Sequence, residues 1–172
     1  MSTTPTGEAG TTPDQAVVER TSDRETVATR VINGPRHLVF RAWTDPVLFQ
    51  RWWIPKSFPI TLLAVEMDVR VGGGYKLTFT HEGSTIDFFG RYLEVVPDER
   101  LAWTNEEGGE GGAVTTVTFE DLGGRTRVVI HDLHASKEAL DAEIGSTEGM
   151  PETLAQLDEV VVSLAAGEAG PA

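Results

Sequence analysis

Val65-Glu66-Met67-Asp68-Val69-Arg70-Val71-Gly72-Gly73-Gly74-Tyr75-Lys76-Leu77-Thr78-Phe79 alternates apolar with polar at every residue on both sides of three glycines. Successive side chains of a strand point to opposite faces, so Val65, Met67, Val69 and Val71 line one covered face. Tyr75, Leu77 and Phe79 line the same face of a partner strand. Three glycines leave no room for a crossover helix, so the pair is antiparallel. The same reading continues downstream. His81-Glu82-Gly83-Ser84 turns into a strand over 85–96, Pro97-Asp98 into one over 101–104, and 113–120 pairs with 126–133 across a short turn. An antiparallel meander is predicted.

Upstream, Val27, Val31 and their β-branched neighbours predict a strand over 25–32 that Asn33-Gly34-Pro35 stops. Leu38, Val39, Ala42 and Trp43 then share one helical face, and Asp45-Pro46 restarts a second short helix toward Val47, Phe49, Trp52 and Trp53. Residues 1–15 have almost nothing to bury, and the disordered tail is set at 1–22. The acidic, glycine-rich segment 105–112 reads as a mobile hairpin loop. After Ser136 a short helix runs to about 144, and 145–149 interrupts it. Met150, Leu154, Leu157, Val161 and Leu164 recur every three to four residues, so a helix over 151–164 spans roughly 21 Å. That helix crosses the sheet. One α+β domain over 23–166 with a tail at 167–172 is the expected organisation.

Composition narrows the chemistry. The 172 residues contain no cysteine, which removes disulfides, thiolate metal sites and cysteine nucleophiles. No apolar run reaches membrane-spanning length and the start lacks a secretory pattern, so a soluble cytoplasmic protein is expected. Residues 1–93 balance ten acids with ten bases, whereas 94–172 carry seventeen acids against Arg100, Arg125, Arg127 and Lys137. The formal charge of −13 therefore arises in the second half. Such a field repels nucleic acids and anionic membranes but leaves a basic protein surface as a partner. All thirteen aromatic residues fall between Phe40 and Phe119, so the terminal helix must pack with aliphatic side chains.

A bent sheet under a straight helix leaves a hollow, and such hollows bind apolar ligands. Between sheet and terminal helix the candidate lining is Trp52, Trp53, Phe79, Phe88, Trp103, His131, Met150, Leu154 and Leu157. The glycine run is followed by a strand, so no helix N-terminus is present to hold a phosphate. His131 and His134, an odd number of residues apart on a strand, point to opposite faces and cannot chelate a metal together. No metal, cofactor or catalytic residue is assigned. An enzymatic alternative requires His131, Asp132, Asp87 or Arg91 inside the hollow as a general acid or base. Asp68 and Arg70 are expected to pair.

The run Pro35-Arg36-His37-Leu38-Val39-Phe40-Arg41-Ala42-Trp43-Thr44-Asp45-Pro46, followed by Arg51-Trp52-Trp53-Ile54-Pro55, resembles the activator-of-heat-shock-protein-90-ATPase-like family of the START-like (SRPBCC) superfamily. The resemblance continues through Glu66-Met67-Asp68-Val69-Arg70-Val71-Gly72-Gly73, Phe89-Gly90-Arg91-Tyr92, Pro97-Asp98-Glu99-Arg100-Leu101, and residues 116–119 with Gly124-Arg125-Thr126-Arg127, and covers about residues 25–165. It implies the helix-grip fold, in which an antiparallel sheet wraps a long C-terminal helix around a cavity. Relatives commonly have Gly-Trp before that helix, where this chain has Gly149-Met150-Pro151. Many have Gly-Pro after the tryptophan pair, where this chain has Ile54-Pro55. The superfamily includes lipid and hormone carriers, polyketide cyclases and chaperone co-factors, so the resemblance by itself does not assign an activity; the hollow points to a module binding a small hydrophobic or amphipathic ligand, with a chaperone binder or a cyclase- or hydrolase-like enzyme as alternatives.

Overall fold

Runs of β-branched and aromatic residues punctuated by tight turns form eight strands: β1 Val17–Arg20, β2 Glu25–Ile32, β3 Thr61–Met67, β4 Gly74–His81, β5 Ser84–Val96, β6 Arg100–Thr104, β7 Val114–Asp121 and β8 Thr126–Leu133. The computed structural model describes residues 16–106, 112–147 and 149–168. The strands make one curved antiparallel sheet in the order β1-β2-β8-β7-β6-β5-β4-β3. β3 to β8 follow one another as the predicted meander, and β2 closes onto β8 with Ala28 opposite Ile130. Between β2 and β3 the chain makes helices α1 Arg36–Thr44 and α2 Pro46–Phe49, and after β8 it makes α3 Lys137–Thr147 and α4 Met150–Glu168.

α4 lies against α1 and β2. Its Leu154, Leu157 and Val161 are fully buried with Ile32, Leu38, Val39, Leu101, Val117 and Val128. Each such side chain contributes about 1.5–3 kcal/mol on leaving water. The helix is also pinned electrostatically. Asp158 accepts hydrogen bonds from the Asn33 backbone N–H at 2.7 Å and its side-chain amide at 3.1 Å, and lies 3.8 Å from the Arg30 guanidinium. The helix-grip arrangement read from the sequence is the arrangement found.

Several boundaries differ from the expectation. The strand drawn over 65–71 starts earlier, at Thr61, and ends at Met67. Asp68 accepts from Arg70 Nε at 2.9 and 3.0 Å, and Gly72 takes a φ of 85°. Together they turn the chain around Val71, which is left 63% exposed. The expected Asp68–Arg70 pair is therefore formed, but in a turn. Residues 17–20, placed in the N-terminal tail, are a strand because Val17 and Val18 pair with Thr29 and Ala28. The terminal helix extends through Glu168, two residues into the segment taken as the C-terminal tail. Residues 1–15, 107–111 and 169–172, which hold most of the two tails and the middle of the loop assigned to 105–112, lie outside the described residues, while at the base of that loop the Asn105 N–H donates to the Ala113 carbonyl.

Candidate functional site

Asp45 sets the geometry of the site. Its carboxylate accepts hydrogen bonds from the Val47 and Leu48 N–H groups at 2.9 and 3.3 Å, and Pro46 occupies the first helical position, so the chain turns a corner between α1 and α2. The corner brings Trp43 to 4.7 Å from Trp52 and 5.9 Å from Trp53, ring centre to ring centre, while Phe49 stacks on Trp53 at 4.8 Å. Trp52 is fully buried and donates its indole N–H to the Ala42 carbonyl at 2.9 Å, tying the corner together from inside.

Trp43, Phe49 and Trp53 roof a cavity of about 50 Å³. Its floor is Met67 from β3, Tyr75 and Leu77 from β4, Phe88 and Tyr92 from β5, and Trp103 from β6, with Asn105 just beyond. The register explains the floor, because Leu77 lies opposite both Val65 and Phe88 on the covered face. Phe88, 41% exposed, is the least covered wall. The enclosed space takes water or part of a small ring, so a larger guest must displace that phenyl. The Trp43 indole N–H has no hydrogen-bond partner among the described residues, although the ring is only 2% exposed.

The loop that carries Trp53 is strapped to α4. Gln156 donates to the Trp52 and Ile54 carbonyls, both at 2.8 Å, and accepts from the Lys56 N–H at 2.9 Å. Glu152 accepts from the Ser57 N–H and hydroxyl, and those hydrogen bonds hold its carboxyl below the usual carboxylate range. At the sheet end, Thr115 donates to Asp132, the Asn105 amide donates to Thr115 and to the Ala113 carbonyl, and Tyr75 donates toward the Thr104 and Asn105 oxygens. Tyr92 is pushed up to about 12, chiefly by burial and secondarily by the negative charge of Asp68.

The cavity is displaced from its expected position. Leu154, Leu157 and Val161 on the underside of α4 are fully buried, and the cavity lies beneath the α1–α2 corner rather than beneath the terminal helix. Of the proposed lining residues, Trp53, Phe88 and Trp103 meet at the cavity. Trp52, Phe79, Leu154 and Leu157 are core, and Met150 packs against that core. His131 points to the outer face, where its Nε2 lies 2.8 Å from Glu25. Asp87 is exposed and bonded to Thr78, and Arg91 pairs with Glu106 at 3.1 Å, also outside. Asp132 shares the inward face with Ile130 and accepts a hydrogen bond from Thr115, whose oxygen accepts in turn from Asn105 at the cavity. No group of three or more potential metal-ligating His, Asp or Glu side chains gathers among the described residues, and none of their helices is long and apolar enough to cross a membrane. Sequence reasoning missed Asn105 because its role depends on hydrogen bonds between three strands. Met67 and Tyr75 were legible in the alternation but were not singled out.

Residues 33–162 match the family model described as Activator of Hsp90 ATPase homolog 1-like protein. No curated protein matches the sequence significantly. Among solved structures, a Chromobacterium violaceum protein is 34% identical with a TM-score of 0.67, the match covering 80% of this chain and 96% of that one. A Nitrosomonas europaea protein gives 24% identity and a TM-score of 0.75 over 86% of this chain and 99% of its own. The protein described as AHSA1-like from Aeromonas hydrophila gives 20% and 0.64, over 81% and 94% respectively.

Proposed function

The chain belongs to the Activator of Hsp90 ATPase homolog 1-like family, and from that membership we propose that it is a non-catalytic START-like module holding a small apolar molecule beneath the α1–α2 corner. The observation that carries this reading is the cavity itself, walled by tryptophan, tyrosine and phenylalanine where the core beneath α4 is closed. The Trp43 indole N–H at its roof, unpartnered among the described residues, adds support, since buried donors are almost always satisfied. Titration with toluene, followed by the indole N–H resonances, tests it. Trp43, Trp53 and Trp103 shift in a saturable way and Trp52 does not; absence of any saturable shift refutes the reading.

A second reading, a co-chaperone-like protein binder, is favoured by β5. That strand leaves Ile86, Phe88, Phe89 and Leu93 between 41% and 46% exposed, far more apolar surface than its neighbours show. An increase in the ATPase rate of heat-shock protein 90 on adding this protein supports the second reading, and an unchanged rate removes it.

A further inference from the structure

Asn105 lines the cavity, and its amide is held by a chain of hydrogen bonds whose direction is forced. The Ala113 carbonyl can only accept, which fixes the NH₂ side of the Asn105 amide, and the Thr115 hydroxyl donates to Asp132, which leaves the Thr115 oxygen as an acceptor. The Asn105 NH₂ group meets that oxygen at 3.0 Å and the Ala113 carbonyl, also at 3.0 Å. Both amide protons are thereby used, and the oxygen Oδ1 is turned the other way, toward Tyr75 at 3.2 Å. An amide oxygen has two lone pairs, and the single Tyr75 proton has a closer acceptor in the Thr104 carbonyl at 2.8 Å. Oδ1 therefore retains acceptor capacity in a wall otherwise made of rings, leucine and methionine.

We propose that Asn105 determines specificity by accepting a hydrogen bond from the guest, so that the cavity selects small neutral ring compounds bearing one hydroxyl over their purely apolar counterparts. Thr115 and Asp132 act as positioning residues that hold the amide in this orientation. The inference rests on the ligand-binding reading above and adds the chemical class.

Phenol and toluene, nearly equal in shape, separate the two. In a slot with no acceptor, burying the hydroxyl weakens phenol roughly tenfold or more relative to toluene. The native protein is expected to bind phenol at least as tightly as toluene, measured by tryptophan fluorescence and indole shifts. Asn105→Leu restores the apolar order, lowering the phenol-to-toluene affinity ratio roughly tenfold while toluene still binds. Thr115→Val, which does not touch the guest, lowers the same ratio, an effect that a merely structural role would not produce. If the native protein prefers toluene tenfold, the inference about Asn105 is overturned and the cavity reading stands. If neither compound binds, both fail. The native comparison needs no variant, so it decides the matter even where a substituted protein misfolds.

Discussion

Gln156 uses its whole side-chain amide on the backbone of the loop beneath it. Removing that amide strands two carbonyls and one N–H in a region that water enters poorly. Gln156→Ala is expected to cost on the order of 3 kcal/mol in chemical denaturation, against about 0.5 kcal/mol for an ordinary surface change. Tyr92 offers a second test at this scale. Its folded value of about 12 lies above the ordinary 10.0, so the neutral phenol is the form the fold favours. The associated stability is complete below pH 10 and is lost as pH rises toward 12. An absorbance titration at alkaline pH should show Tyr92 ionising in that late range, together with loss of structure, and Tyr92→Phe should remove this part of the alkaline instability. The tryptophan corner was legible in the sequence, because Asp45-Pro46 and helical spacing place those rings together. Which tryptophan faces the cavity was not legible, since that depends on the bond from Trp52 to Ala42.

At the scale of elements, β5 does two jobs, pairing with β4 through Arg91 and with β6 from Tyr92 onward. Just before the handover, at Gly90, an added Cβ would run into the Thr104 carbonyl oxygen. Backbone cannot yield as a flexible side chain does, so Gly90→Ala is expected to destabilise the protein by roughly 2–4 kcal/mol and to loosen β6 in hydrogen exchange. The loop after Trp53 has its own pH response. Glu152 sits below its ordinary 4.5 because it accepts from Ser57, so its contribution is present above about that pH and fades as pH falls through the lower folded value. Faster exchange of the Ser57 amide on acidification, absent as a transition in Glu152→Gln, is the expected signature. Strand identity was readable from alternation, yet the end of β3 was not. Val69 and Val71 continue the pattern, and the strand ends at the turn made by the Asp68–Arg70 clasp and the positive φ of Gly72.

Over the whole molecule, folding mixes what the sequence segregates. Asp141 meets Arg20, Asp158 approaches Arg30, and Glu106 meets Arg91, so acids of the second half find cations of the first across the sheet. The formal charge of −13 nevertheless remains. Raising salt from about 0.01 to 0.15 M shortens the screening length from about 30 to 8 Å and relieves that self-repulsion. The Tm should therefore rise by a few degrees, and a fall would show that the cross-sheet pairs outweigh the repulsion. The meander, the helix order and the family resemblance were all legible, because they depend on local periodicity and short motifs. The position of the cavity was not, because it depends on how tightly aliphatic side chains of α4 fill the groove they cross.

The strap from Gln156 reaches back 104 residues to Trp52. Synthesis proceeds from the N-terminus, so a nascent chain completes its tryptophan corner long before the group that fastens it exists. A product of premature termination or of proteolytic clipping ahead of that glutamine loses the three hydrogen bonds that hold the loop carrying Trp53, and with them the buried Leu157 and Val161 of α4. The corner is thus fastened by a part of the chain that is made after it.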